Sequence, residues 1–310
     1  MNGACARVCY TFLMWLLYAF LSPAFYAIAE IFDNFLVNKE FRHPMTLAFY
    51  SSLFNVLFVP FLFYFSPPTL PPLSTLPLFI GLGLVAVGYL YPYYLGLRSD
   101  DTSIAVSFFA VGRIFVPVLA FFIVGEVLDF QQYVGIGLIV ISVFALALHH
   151  SRAKFRFSKA MGYISCAALL LAFEAIFLKL LFVQGVTVST AVGGESITAL
   201  IFGTILLLSS GVRKDAKATL PLFIKLAPLF LIEEFFTFLG LASEGQAISL
   251  TSVSVVKGIT MASPFFLLLY AWIGHGLFPK LFKEDLHRKK VLRKLGLFVV
   301  LIVGIILVKE

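Results

Sequence analysis

Leu76-Pro77-Leu78-Phe79-Ile80 returns 144 residues later as Leu220-Pro221-Leu222-Phe223-Ile224, and the reading of that repeat decides the fold. The same register carries Leu95-Gly96-Leu97 onto Leu239-Gly240-Leu241, Ser99-Asp100 onto Ser243-Glu244, and Ile104 onto Ile248. Carried further, it sets Arg113 on Lys257, each near the middle of a long apolar run. A shorter correspondence, Ile31-Phe32 with Ile176-Phe177, joins the beginnings of the two halves.

The surroundings of the repeat are far too apolar for a soluble protein. Of 310 residues, 61% are hydrophobic and 13% charged, with a mean hydropathy of +1.01, so the chain is an integral membrane protein. Its apolar runs are continuous and near 20 residues long, which selects helices over the short alternating segments of an outer-membrane barrel. Ten spans are predicted, at residues 10–32, 44–65, 76–97, 102–124, 132–149, 160–183, 187–209, 220–242, 247–272 and 292–308.

The one clear internal boundary is the basic stretch His149-His150-Ser151-Arg152-Ala153-Lys154-Phe155-Arg156. It divides a first five-helix repeat, residues 1–150, from a second, 160–310, through a basic linker at 151–159. Five is odd, so two such units fused in tandem enter the membrane in opposite senses and form an inverted repeat. Lys39, Arg42, Arg98, Arg152 to Lys159, Arg213 to Lys217 and the run from Lys280 to Lys294 fall on one side, and only Arg7 and Lys309 on the other. That asymmetry assigns the basic loops to the cytoplasm and both termini to the opposite side of a plasma or inner membrane. In this setting the net charge of +7 speaks for topology and anionic lipid headgroups, not for nucleic acid. Cys5, Cys9 and Cys166 form no disulfide or zinc pattern.

A cation at the centre of a membrane helix costs about 2.5–3.5 kcal/mol on insertion scales. Two at matched positions, Arg113 and Lys257, are therefore the leading candidates for binding substrate charge. Two readings stand for them: an anion site between opposing helices, or cations neutralised by internal glutamates that fix packing. Glu233, Glu195 and Glu174 are the intramembrane acids expected to serve as coupling or counter-ion groups. Glu233 and its neighbour Glu234 point about 100° apart on a helix, so both are not expected to face one cavity centre, and Glu233 is expected beside Lys257. The offset sets Tyr89 on Glu233 and Tyr93 on Thr237, each pair on one helix face, which makes Tyr89 and Tyr93 candidates for a cavity wall. Tyr91 and Tyr94, beside Pro92, complete that cluster. Glu30 and Asp33, at the end of the first span, are explained by a solvated mouth. No HExxH frame or nucleophile constellation occurs; no catalytic residue, metal ligand or cofactor is assigned.

The chain resembles the drug/metabolite transporter superfamily in its ten-helix EamA-type form over nearly its whole length. The best local match is Phe121-Phe122-Ile123-Val124-Gly125-Glu126 followed by Gln131-Gln132-Tyr133-Val134-Gly135-Ile136-Gly137, similar to that family's Gly-Glu turn and glycine-bearing fifth helix. The second half departs from it, with a longer basic connection from His275 to Lys294, and Tyr50-Ser51 stands where the family carries a basic residue early in the second helix. The resemblance implies a central cavity between the halves. In related sugar-phosphate and nucleotide-sugar exchangers, basic residues on the fourth and ninth helices hold phosphate, and Arg113 and Lys257 occupy those helices.

The expected function is secondary active transport of a small polar metabolite, anionic or zwitterionic, by alternating access, without enzymatic chemistry. The alternatives are a translocase for a lipid-linked phosphate carrier and a non-transporting membrane enzyme or receptor. The expected partners are a small-molecule substrate and membrane lipids, with the chain acting as a monomer or weak dimer.

Overall fold

A computed structural model describes residues 3–37, 43–99, 114–150, 159–274 and 288–308. The described chain is all helical, 90% of it in helices. The helices are α1 (Gly3–Val37), α2 (Pro44–Asn55), α3 (Val59–Phe65), α4 (Leu76–Gly88), α5 (Leu90–Ser99), α6 (Phe115–Leu119), α7 (Phe130–His150), α8 (Lys159–Val183), α9 (Val188–Ile205), α10 (Ser210–Leu250), α11 (Val253–Thr260), α12 (Ser263–Gly274) and α13 (Arg288–Val308). Among the described residues, six segments are long and apolar enough to cross a membrane: Leu13–Asp33, Pro44–Phe65, Leu73–Arg98, Met161–Val183, Val188–Leu208 and Val253–Tyr270. Their outer faces carry bare apolar side chains such as Phe61, Leu84 and Ile201, the surface expected against lipid rather than water.

Prolines mark where spans are interrupted. The α2–α3 span carries a 3₁₀ turn at Val56–Phe58 just before Pro60, Pro92 follows the break at Tyr89, and Pro264 opens α12 after the turn at Met261–Ala262. A ring without an N–H cannot donate to the preceding turn, so the helix restarts around it. Residues 66–72 run without helix between α3 and the 3₁₀ turn at Leu73–Thr75, as their prolines require. The N–H of Thr69 donates to Thr190 Oγ1 at 2.9 Å and tethers that connection to α9.

Two predicted boundaries are corrected. The eighth span, expected at 220–242, belongs to a continuous 41-residue helix, α10, about 60 Å long at 1.5 Å per residue. Ser243-Glu244-Gly245-Gln246 reads as a loop because it is polar, but it stays helical, with Glu244 buried and paired with Lys257. The ninth span, expected as one helix over 247–272, is two, α11 and α12, and its start lies at Val253. Of the fourth span, the part before residue 114 lies outside the described residues; its end is α6 and a π-helical turn, Ala120–Val124, closed by Gly125 at φ 75°. Only glycine adopts that left-handed conformation without strain, and the Glu126 N–H reaches back to the Ala120 carbonyl at 3.1 Å.

Helix pairing sets the frame of the cavity. α1 packs along α10, α8 along α4 and α5, α9 along α4 and α2, α2 along α10, and α7 along α13. At the last crossing the backbones touch: a Cβ on Gly135 would stand 2.6 Å from the Gly304 carbonyl oxygen, and one on Gly304 would stand 2.8 Å from that of Gly135. Small residues allow such approach where packing, not hydrophobicity, drives association. α2 is fixed to α10 by Tyr50, whose ring stacks on Phe223 at 3.8 Å and whose hydroxyl donates to the Ala216 carbonyl at 2.6 Å.

Candidate functional site

The extended residues Thr251 and Ser252 separate α10 from α11 inside the protein. A helix end away from water leaves carbonyls or N–H groups without partners. Here both ends are served by ionisable side chains from elsewhere in the chain. Lys179 of α8 donates to the Ile248 and Thr251 carbonyls at 3.1 and 2.6 Å, a cation at the negative end of the α10 dipole. Glu126, just after the Gly125 turn, accepts from the N–H groups of Val253 and Ser254, both at 3.1 Å, and from the Ser252 hydroxyl at 2.6 Å. Ser252 in turn accepts from the Val255 N–H. An anion thus sits at the positive end of α11.

This joint holds α11 in place, and all eight residues of α11 are buried. Lys257, on that helix, forms an ion pair with Glu244 of α10. Both side chains line a cavity of about 130 Å³, room for on the order of ten waters or one small molecule. Tyr26, Glu30 and Asp33 of α1, Ser51 and Asn55 of α2, Tyr89, Tyr93 and Tyr94 around the α4–α5 break, Glu174 of α8, Glu195 of α9, and Glu233 and Glu234 of α10 complete most of the polar lining.

Most of these groups are held by neighbours. Glu234 accepts from Ser51 and from the Asn55 amide at 3.0 Å, and Ser196 donates to the Asn55 carbonyl oxygen at 2.7 Å. Glu233 accepts from Thr237, one turn on, at 2.9 Å. Glu30 accepts from Ser263 at 2.8 Å, and Tyr93 donates to Asp33 at 3.5 Å. Glu195 is held only in part: it is 3% exposed, its side chain shares a hydrogen bond with Glu174, and its Oε2 has no hydrogen-bond partner. Among the described residues the lining holds seven carboxylates, Glu30, Asp33, Glu174, Glu195, Glu233, Glu234 and Glu244, against one ammonium, Lys257. In a medium of low dielectric such close acids repel one another when ionised, and bound protons or a cation relieve that repulsion. No cluster of His, Cys, Asp and Glu among the described residues has the arrangement to hold a metal ion.

The structure gathers Lys257, Tyr89, Tyr93, Glu174, Glu195 and Glu233 around one cavity; Arg113 lies outside the described residues. Three expectations are revised. Glu233 and Glu234 both line the cavity, because side chains 100° apart can reach the same wide wall. The partner of Lys257 is Glu244, not Glu233. Glu30 and Asp33 line the cavity instead of marking its mouth alone. The tyrosine cluster splits, with Tyr91 42% exposed on the far face of α5. Glu244 was marked in the sequence only by its alignment with Asp100, and Glu126 only by its turn.

Residues 13–148 match the EamA-like transporter family. That part of the chain is thereby a domain of the drug/metabolite transporter superfamily, a family of membrane transporters and not of enzymes. None of the curated proteins matches the sequence. In fold the chain is similar to a solved structure described only as "Crystal structure of protein", with a TM-score of 0.66 at 12% identity over 94% of this chain and 96% of that one.

Proposed function

We propose that this chain, which begins with an EamA-like transporter domain, is a secondary active transporter that moves a small polar metabolite bearing an ammonium group across a plasma or inner membrane by alternating access. The observation that carries the charge preference is the lining itself: seven carboxylates face one lysine among the described residues. Of the anionic and zwitterionic cargoes that the sequence suggests, the zwitterion is favoured, and a simple cation becomes eligible. Its ammonium would meet the carboxylates, while Tyr26, Tyr89 and Tyr93 offer ring faces to a cation. Glu195, Glu174 and Glu233 serve as binding or coupling groups.

Ten spans in two inverted halves supply the moving parts in this reading, with basic loops in the cytoplasm and both termini opposite. The helix pairing supports it, because it is preserved when each span is exchanged for the one five places on. The contact of α1 with α10 corresponds to that of α8 with α4 and α5, the contact of α6 with α8 to that of α11 with α1, and the contact of α4 with α9 to that of α10 with α2, while the α7–α13 pair maps onto itself.

Phenylacetate, phenylalanine and benzyltrimethylammonium share a ring and differ in charge, so a thermal-shift comparison of the three on purified protein tests the reading. Stabilisation by the zwitterion or the cation is expected, about 2.7 kcal/mol at a hundredfold excess over Kd. Stabilisation by phenylacetate alone, or by none, overturns the ammonium preference. Uptake of the stabilising compound into proteoliposomes no faster than into protein-free vesicles overturns transport.

A further inference from the structure

We propose that Lys257 is a tethered stand-in for the cargo's ammonium, occupying the acidic cavity when cargo is absent and leaving it when cargo binds. The proposal rests on the ammonium reading of the cargo and adds a competitor for the same site. Three observations carry it. The Lys257 ammonium is paired with Glu244 inside the cavity, where both side chains are almost wholly buried. The Glu195 carboxylate, within electrostatic reach of Lys257, is buried with Oε2 unpartnered and lines the same space. And Lys257 carries its ammonium on a flexible four-carbon stem from a short helix that Glu126 holds at its start, so the charge can swing off Glu244 while the helix keeps its place.

The physical reason for such a device lies in the return of the empty carrier. Removing one partner of a buried ion pair leaves an uncompensated charge and is strongly destabilising. A carrier whose carboxylates were neutralised only by cargo would be trapped whenever the cargo left. With Lys257 on Glu244 the emptied cavity keeps one internal counter-charge among its acids, and the protein can reorient. An incoming ammonium must then displace the lysine, which weakens apparent affinity in proportion to how rarely the site is free.

The sign of this effect is opposite to that expected if Lys257 held an anionic cargo. The test measures binding of benzyltrimethylammonium, a cation that cannot lose a proton, to purified wild type, Lys257→Met, Lys257→Gln and Lys257→Arg. With the lysine seated nine-tenths of the time, removal of its charge tightens the apparent Kd about 10-fold. Lys257→Arg, which keeps the competitor, stays near wild type. In proteoliposomes the Met variant is expected to exchange the probe across the membrane while losing net, one-way flux, a split that a packing role would not produce. Equal or weaker binding by both neutral variants, each shown by its melting transition to be folded, overturns the proposal. Binding by a neutral variant when wild type binds none supports it. If no form binds the probe, the ammonium reading of the cargo falls, and this inference with it.

Discussion

Glu126 and Lys179 meet the broken helix at Leu250–Val253 with their oxygens and ammonium turned onto backbone groups, whereas Glu195, on the cavity wall, keeps an oxygen without a partner. Both regions bury ionisable side chains in an apolar surround, and each such side chain is expensive there. At the joint the expense is offset by hydrogen bonds that the helix ends need in any case. At the cavity it is offset only in part, and the remainder is available to a ligand. Satisfied charge marks a fixed part of the frame, and in the proposed transport cycle unsatisfied charge marks the place for cargo. Substitutions at the joint should therefore reduce stability, and substitutions at Glu195 should reduce binding.

Lys179→Met makes the strongest demand on this contrast. It leaves the Ile248 and Thr251 carbonyls without their donor and removes a cation from the C-terminal end of α10. Hydrogen bonds to charged groups contribute about 1.5–3 kcal/mol each in water-soluble proteins, and less on average in membranes, so a loss of about 2–4 kcal/mol is expected. The measurement is unfolding in mixed micelles with increasing denaturing detergent. A loss below about 1 kcal/mol would show that Lys179 also belongs to the site rather than the frame.

Glu126→Ala comes next. Three donors, the N–H groups of Val253 and Ser254 and the Ser252 hydroxyl, lose their acceptor, and a helix cap of this kind contributes about 0.5–2 kcal/mol. Glu126→Gln keeps one acceptor oxygen and loses the charge, so it should fall between wild type and Ala. If Gln and Ala were equally unstable, the charge rather than the hydrogen bonds would be holding α11.

What the sequence discloses follows the same division. Repeat register and apolar length fix the helical class and point to Lys257, Glu195, Glu233 and Tyr89, because a charge inside an apolar run is visible locally. The joint is not visible in that way. Glu126 and Ser252 are 126 residues apart, and Lys179 and Thr251 are 72 apart, so nothing near either residue reports its partner. Glu244 was hidden for a related reason: Ser243-Glu244-Gly245-Gln246 has the composition of a turn, and only the ion pair across to Lys257 explains why it remains helix. Glu30 and Asp33 sit at a span's end in the sequence, and the packing of α1 along α10 is what turns them toward the cavity.

Glu195→Gln is expected to have the smallest effect on folding and the largest on cargo. The substitution preserves shape, Oε2 has no hydrogen-bond partner to lose, and an amide can keep the hydrogen bond to Glu174, so the change in stability should stay within about 0.5 kcal/mol. The change also takes one acid from the seven of the wall and leaves six, and less like-charge repulsion acts in the stabilising direction. Binding of benzyltrimethylammonium should weaken by about tenfold, the equivalent of one charge-assisted contact of roughly 1.4 kcal/mol. Calorimetric titration and a melting curve on the same preparation read both quantities. A variant that binds like wild type but unfolds as easily as Lys179→Met would place Glu195 with the frame and dissolve the distinction between the two regions.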